Sequence, residues 1–431
     1  MNSQAALPAT ADVVVIGGGV IGCAAGFELA SRGLSVVIID QNAIGGAQSP
    51  LALGFVWSLS HKPGRDSLDA LADDLWENLE DRLEADLEWT AGGSLRVAET
   101  AEELPQLDVR ARNLGNAEVL DAKRLLEVAP FLRHGFPGAL YSRAGGHTAP
   151  HLVAPAFANA AQRCGASLVE GCAVRDVEVV DGRVSAVITD RGSISTCSVV
   201  CAGGVWSSRF LRPLGLRLPA VAVRGLALDT QPLPAITDCA VTIGGLGFRQ
   251  RPDGTIRASY IDRSIHDVTI DSIRYARTFL PAYKVNRELT RVRVNGNLAR
   301  DVWRWLPGSP ERVRGFDPRR HVMPAPDPKT DRLTIDRLVD AVPGLAGARV
   351  ERSWGEPIEV TPDELPVIEA LKEPAGLVLA TAFSGHGLAL SPIVGRVVAE
   401  LVVDEGSSVN LHQYRLARFE EGDWQPTRAE V

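Results

Sequence analysis

Apolar residues in this chain fall into short blocks separated by glycine-rich turns. Residues 12–16 (DVVVI) form a β-branched run with no polar face, the pattern of a strand buried on both sides. Residues 17–22 (GGGVIG) follow at once, and a small-residue helical pattern then runs to Gly33, placed as the glycine that ends the helix. Residues 35–40 (SVVIID) are a second buried strand, which completes a βαβ unit. Leu68, Leu71, Leu75, Leu79 and Leu83 recur at three- and four-residue spacing and predict one amphipathic helix. Residues 150–164 predict another helix, closed by Gly165, and residues 174–188, broken by Asp181-Gly182, predict a hairpin with a type I′ turn. Two more buried strands follow at 198–202 (SVVCA) and 376–381 (GLVLAT). The first runs into Gly203-Gly204-Val205-Trp206. The second runs into Gly385-His386-Gly387 and a helix through 393–402. Between residues 218 and 342 the texture changes to alternating positions, more Pro and Arg, and an RPDG turn at 251–254.

These blocks predict an α/β fold, α+β overall, in two parts. A discontinuous Rossmann-like domain takes residues 1–90, 150–217 and 345–431; a second, mainly antiparallel-sheet domain takes 91–149 and 218–344. A length of 431 residues suits two domains. With 45% hydrophobic and 23% charged residues the chain is globular, neither disordered nor coiled coil. A formal charge of −8 argues against nucleic acid or an anionic membrane surface as the main partner. The longest apolar run, residues 11–30, is interrupted by five glycines, an Asp and a Glu, so no membrane span is expected. The first residues lack a basic and apolar leader, and the six cysteines form no CxxC pair. Reduced thiols and a cytoplasmic location are the expectation.

Gly17, Gly19 and Gly22 form G-x-G-x-x-G between a strand and a helix. That spacing gives a tight turn, close approach of backbone to a pyrophosphate, and close helix–strand packing. The helix N-terminus adds unpaired N–H groups and a positive dipole end, with Val20 and Ile21 in its first turn. Asp40 ends the second strand, followed by Gln41, where a carboxylate accepts from ribose hydroxyls and repels a 2′-phosphate. This is a dinucleotide site of the kind that disfavours NADP. His147 and His151 have metalloprotease spacing but no Glu between them, and Pro150 blocks a helical presentation, so no metal site is expected. There is no P-loop, no G-x-S-x-G elbow and no second G-x-G-x-x-G for a separate nicotinamide site.

The chain resembles the D-amino-acid oxidase superfamily of FAD-dependent oxidoreductases, the glycine and sarcosine oxidase group. The resemblance rests on VVVIGGGVIGCAAGFELASRGLSVVIID, GGAQS at 45–49, VVCAGGVWS at 199–207, TPDELPVI at 361–368 and FSGHGLALSP at 383–392. It implies non-covalent FAD, contacted by Gly46, Ser49, Val174, Ala202, Gly203, Gly204, Trp206, Gly385, His386, Gly387 and Leu388. It also implies oxidation of the C–N bond of an amino acid or secondary amine acid. WGEPIEVTPD with SGHG is most similar to the branch of opine oxidases and hydroxyproline dehydrogenases, flavin subunits that work beside partner subunits carrying further redox centres. Many relatives hold an Arg before TPD to clamp the substrate carboxylate; here the place falls at Ile358, and Arg249, Arg251 or Arg224 are the candidates to replace it. His386 is the histidine with a functional context, beside the flavin or the substrate. The five lysines fall outside the flavin motifs, which weighs against direct oxygen activation. A self-sufficient, peroxide-forming amine oxidase and a non-catalytic FAD-binding subunit remain the alternatives.

Overall fold

The βαβ unit at the start of the chain forms as its pattern dictates. The computed structural model describes residues 7–56, 59, 66–260, 264–306 and 324–427. In it β1 (Val13–Ile16), α1 (Val20–Ser31) and β2 (Val36–Ile39) are buried almost throughout, and α1 has no wet face. After α2 (Pro150–Arg163) come β3 (Ser167–Val169) and β4 (Ser198–Cys201). The chain then enters a second sheet through β5 (Val221–Thr230), β6 (Leu246–Gln250) and β7 (Ile256–Tyr260). Helices α3 (Ile270–Arg274), α4 (Ala276–Asn286) and α5 (Pro328–Ala341) follow, then β8 (Val350–Val360). The chain returns through β9 (Val367–Ala370), β10 (Leu377–Thr381) and α6 (Gly387–Val403).

The first sheet has the order β9-β10-β4-β1-β2-β3, parallel except for β9. Helices α1, α2 and α6 bury one face around Phe27, Phe157 and Val394. The hairpin at Val174–Val180 and Arg183–Thr189, with Gly192–Ser195, contributes Val177, Val187 and Ile194 to the core on the other face. Asp181 (φ 50°) and Gly182 (φ 73°) both take left-handed backbone, the requirement of the I′ turn that their sequence predicts.

The second sheet has ten strands, mostly antiparallel, and residues 94–142 supply three of them at one end. One face is apolar: Leu228, Phe248 and Ile256 pack with Leu338 of α5. The expected boundary at residue 345 falls before β8, yet β8 pairs with β5 along its whole length, so residues 350–360 lie on the second sheet. A strand partner more than a hundred residues away leaves no trace in local periodicity. The single helix expected over Leu68–Leu83 is two, Asp66–Trp76 and Leu79–Leu83. The break comes where the Trp76 indole donates to the Ala389 carbonyl at 2.8 Å, while Leu79 and Leu83 keep the apolar stripe buried. No helix among the described residues is long and apolar enough to cross a membrane.

Candidate active site

A cleft of about 900 Å³ opens where the C-terminal ends of β1, β4 and β10 meet the second sheet. Its floor is the glycine turn. Gly17 has φ +108°, and a Cβ there would overlap the Ala202 carbonyl; a Cβ at Gly22 would overlap the carbonyl of Gly17. Both glycines are therefore required by the fold itself. Gly19 differs: a Cβ would meet only the Ser49 hydroxyl, at 3.3 Å, and otherwise points into the cleft. Asp40 accepts from the Gly18 N–H through Oδ2 and from the Asn42 N–H through Oδ1, both at 2.7 Å. The acid thus orders the turn, and a carboxylate has about four acceptor positions, enough for ribose hydroxyls as well. Ser49 Oγ accepts from the Val20 N–H at 2.9 Å, holding its loop over the helix N-terminus.

The opposite wall is the loop after β10. Ala382 (φ 60°), Ser384 (φ 51°) and Gly385 (φ 88°) all take left-handed backbone, a cost for the two that carry a Cβ. The loop is held by Glu359, whose carbonyl accepts from the Ser384 N–H at 3.1 Å, and by Ser384 Oγ, which accepts from the Thr361 N–H at 3.3 Å. His386 caps α6, so the positive end of a 17-residue helix faces the cleft.

Every cofactor-binding residue expected from the sequence lines this cleft except Gly22 and Gly46. Gly22 sits under the turn, and the Gly46 N–H donates to the Ala43 carbonyl in a turn of its own. The three arginine candidates are placed differently. Arg251 is outside the lining and pairs with Glu88 at 2.9 Å and Asp253 at 3.0 Å. Arg249 is 1% exposed, one layer behind the wall: Nε donates to the Leu53 carbonyl at 2.6 Å, and Nη1 and Nη2 have no partner among the described residues. Burial and the neighbouring Arg257 and Arg251 charges pull its pKa down to about 9. Arg224 lines the cleft but is tied to Asp267 at 2.6 Å.

Sequence reasoning missed two carboxyls on β8, Glu356 and Glu359, both in the lining. Their signal was present: two acids inside WGEPIEVTPD, a stretch otherwise suited to a buried strand. Glu359 is 6% exposed; its Oε2 accepts from Thr381 Oγ1 and the Ala382 N–H, both at 3.1 Å, and Oε1 has no partner among the described residues. Burial outweighs those two donors and pushes its pKa up to about 8, against an ordinary 4.5. The folded chain therefore holds a proton there that the unfolded chain gives up. The stability it contributes is full below about pH 4.5 and is lost as pH rises to about 8. Glu359→Gln cannot ionise, so the melting temperature of the variant apoprotein should gain on wild type steadily from pH 5 to pH 8. A difference that stays constant with pH would show that Glu359 holds no such proton.

The turn, the acid at the strand tip and the helix end fit the pyrophosphate and ribose of FAD, with the Gly19 face left open for it. The family model described as DAO, FAD dependent oxidoreductase, matches residues 12–401, and the chain belongs to that family. It is similar to glycine oxidase of Bacillus subtilis (strain 168), 24% identical over 95% of this chain and 98% of that protein. It is also similar to mitochondrial sarcosine dehydrogenase of Mus musculus, 26% identical over 96% of this chain but only 42% of that longer protein. Among solved structures, L-amino acid deaminase from Proteus vulgaris superposes with a TM-score of 0.89 and 26% identity, over 97% of this chain and 99% of that one. The chain is thus an FAD-dependent oxidoreductase of the D-amino-acid oxidase superfamily.

Proposed function

We propose that this chain oxidises the C–N bond of an amino acid or secondary amine acid, of the opine, D-amino-acid or proline and hydroxyproline type. The observation that carries the reading is the cleft: the glycine turn and the strained Ala382–Gly385 loop face the second sheet across one continuous space. Bound FAD would supply a two-electron acceptor for hydride from the substrate Cα. The chain's own part is to orient and to exclude water. Leu53, Phe383 and Ile358 form apolar walls, and the N–H groups at the start of α6 favour negative charge beside them. Arg249, with two unpaired buried Nη groups behind Gly54, is the proposed anchor for the substrate carboxylate. His386 is proposed to stand beside the flavin or the substrate, where it caps α6. Binding is proposed to be non-covalent, since the wall formed by residues 350–403 contains no cysteine. All six cysteines are free thiols, in keeping with a reducing, cytoplasmic setting. Incubation with a panel of such amines and a dye acceptor tests the reading: carbonyl and amine products should appear in equal amounts, and dye reduction without them would refute it.

The same reading makes the chain the flavin subunit of a multi-subunit dehydrogenase. No lysine is among the described residues that line the cleft. Nine of the thirteen exposed large apolar side chains among the described residues lie between Ile273 and Leu306, on and after the helices at the cleft mouth. Residues 270–296 carry six basic and two acidic residues in a chain of net charge −8. An apolar, basic surface of this kind suits an electron-accepting subunit with an acidic rim. Reduced protein mixed with air-saturated buffer should therefore reoxidise more slowly than it is reduced by substrate, and a dye should relieve the delay. Reoxidation as fast as reduction, with stoichiometric peroxide, would favour the self-sufficient oxidase instead.

A further inference from the structure

Strand register fixes which side chains of the second sheet face the cleft. Val223, Gly225 and Ala227 of β5 lie directly opposite Ile358, Glu356 and Trp354 of β8, so all six share one face. That face is the cleft side. A Cβ at Gly385 would stand 3.7 Å from Ile358 Cγ2, and the Trp354 indole donates to the Leu51 carbonyl at 3.2 Å. Glu356 is between them, two residues from the position that fronts the flavin loop. Its chain lies over Gly225, where a Cβ would come within 3.1 Å of its Cγ and 3.2 Å of its Oε1. Arg224 is opposite Pro357, so its side chain leaves the strand on the other face from Glu356; it borders the cleft tied to Asp267.

The Glu356 carboxyl makes no hydrogen bond and no ion pair among the described residues. The cation whose charge it feels is Arg257. That guanidinium is already committed, to Asp229 at 2.8 and 3.0 Å and to the carbonyls of Pro50 and Ala52 at 3.2 and 3.0 Å. Burial raises the Glu356 carboxyl to about 7, and a cation placed beside it would favour its charged form. Arg224 is the only arginine, and no lysine is found, among the described residues lining the cleft. We propose that Glu356 is the specificity residue of this cleft and receives a cationic group, ammonium or guanidinium, that the substrate carries away from the oxidised C–N bond. The proposal rests on the amine-oxidation reading and narrows it to amine acids with a second, basic end.

The test uses FAD-loaded protein and two matched pairs of probes. These are the N-(1-carboxyethyl) conjugates of arginine and of citrulline, and those of lysine and of norleucine; each pair differs in charge at nearly constant shape. Binding is read from perturbation of the flavin absorbance band, and reduction is read separately, without oxygen. In at least one pair the cationic member should bind about 30-fold tighter or more, the scale of a charge-assisted pair in a partly desolvated site. Glu356→Gln should erase that difference while the neutral member binds as before. The proposal is overturned if neutral members bind equally well to wild type, if Glu356→Gln weakens both members alike, or if none of the four perturbs the flavin. Discrimination without flavin bleaching would uphold Glu356 and refute oxidation of these basic amine acids; bleaching without discrimination would do the reverse.

Discussion

Gly19→Val should give a folded protein that purifies without yellow colour. The reason is geometric. At Gly17 and Gly22 an added Cβ strikes backbone carbonyls, so substitution there breaks the turn itself. At Gly19 the only neighbour is a serine hydroxyl at 3.3 Å, and the side chain would project into the space assigned to the pyrophosphate. Circular dichroism should match wild type while flavin absorbance is lost, and Gly22→Val should instead fail to yield soluble protein. Full flavin content in Gly19→Val would move the dinucleotide site away from this turn.

The second large effect is on stability. Asp363, in the T-P-D stretch, is buried in a two-pronged pair with Arg418, Nε to Oδ2 at 2.7 Å and Nη2 to Oδ1 at 3.1 Å. Both side chains are at most 3% exposed, and Arg418 also donates to the Leu365 and Arg415 carbonyls. Removing one partner leaves a buried charge alone. Arg418→Ala should therefore cost about 3–5 kcal/mol of unfolding free energy. Urea denaturation checks it, and Arg418→Met combined with Asp363→Leu should recover much of the loss because no bare charge remains. A loss in Arg418→Ala no larger than that of an exposed pair, about 0–1 kcal/mol, would contradict the account.

What could be read from the sequence was local. The βαβ unit, the glycine turn, the Asp181-Gly182 hairpin and the strand entering the Gly385–Gly387 turn each follow from short-range periodicity or from φ requirements. What depended on distant register was hidden. Residues 350–360 form a strand paired with Val221–Thr230, which puts them on the second sheet. The same pairing puts Glu356 and Ile358 on one face of the strand pair and Arg224 on the other. The resemblance left three arginines, Arg249 first, as candidates for the carboxylate anchor. Their neighbours separate them, since Glu88 takes Arg251, Asp267 takes Arg224, and Arg249 keeps two groups unpaired among the described residues.

The central claim is that this cleft holds FAD and delivers it the electrons of an amine C–N bond. Its most direct test is anaerobic mixing of the FAD-loaded protein with excess of each member of a panel of secondary amine acids, D-amino acids, proline and hydroxyproline, followed at the flavin absorbance band. The account predicts complete bleaching by at least one of them, with one carbonyl product released per flavin, and no bleaching in Gly19→Val. A flavin that stays oxidised with every member of the panel would contradict it.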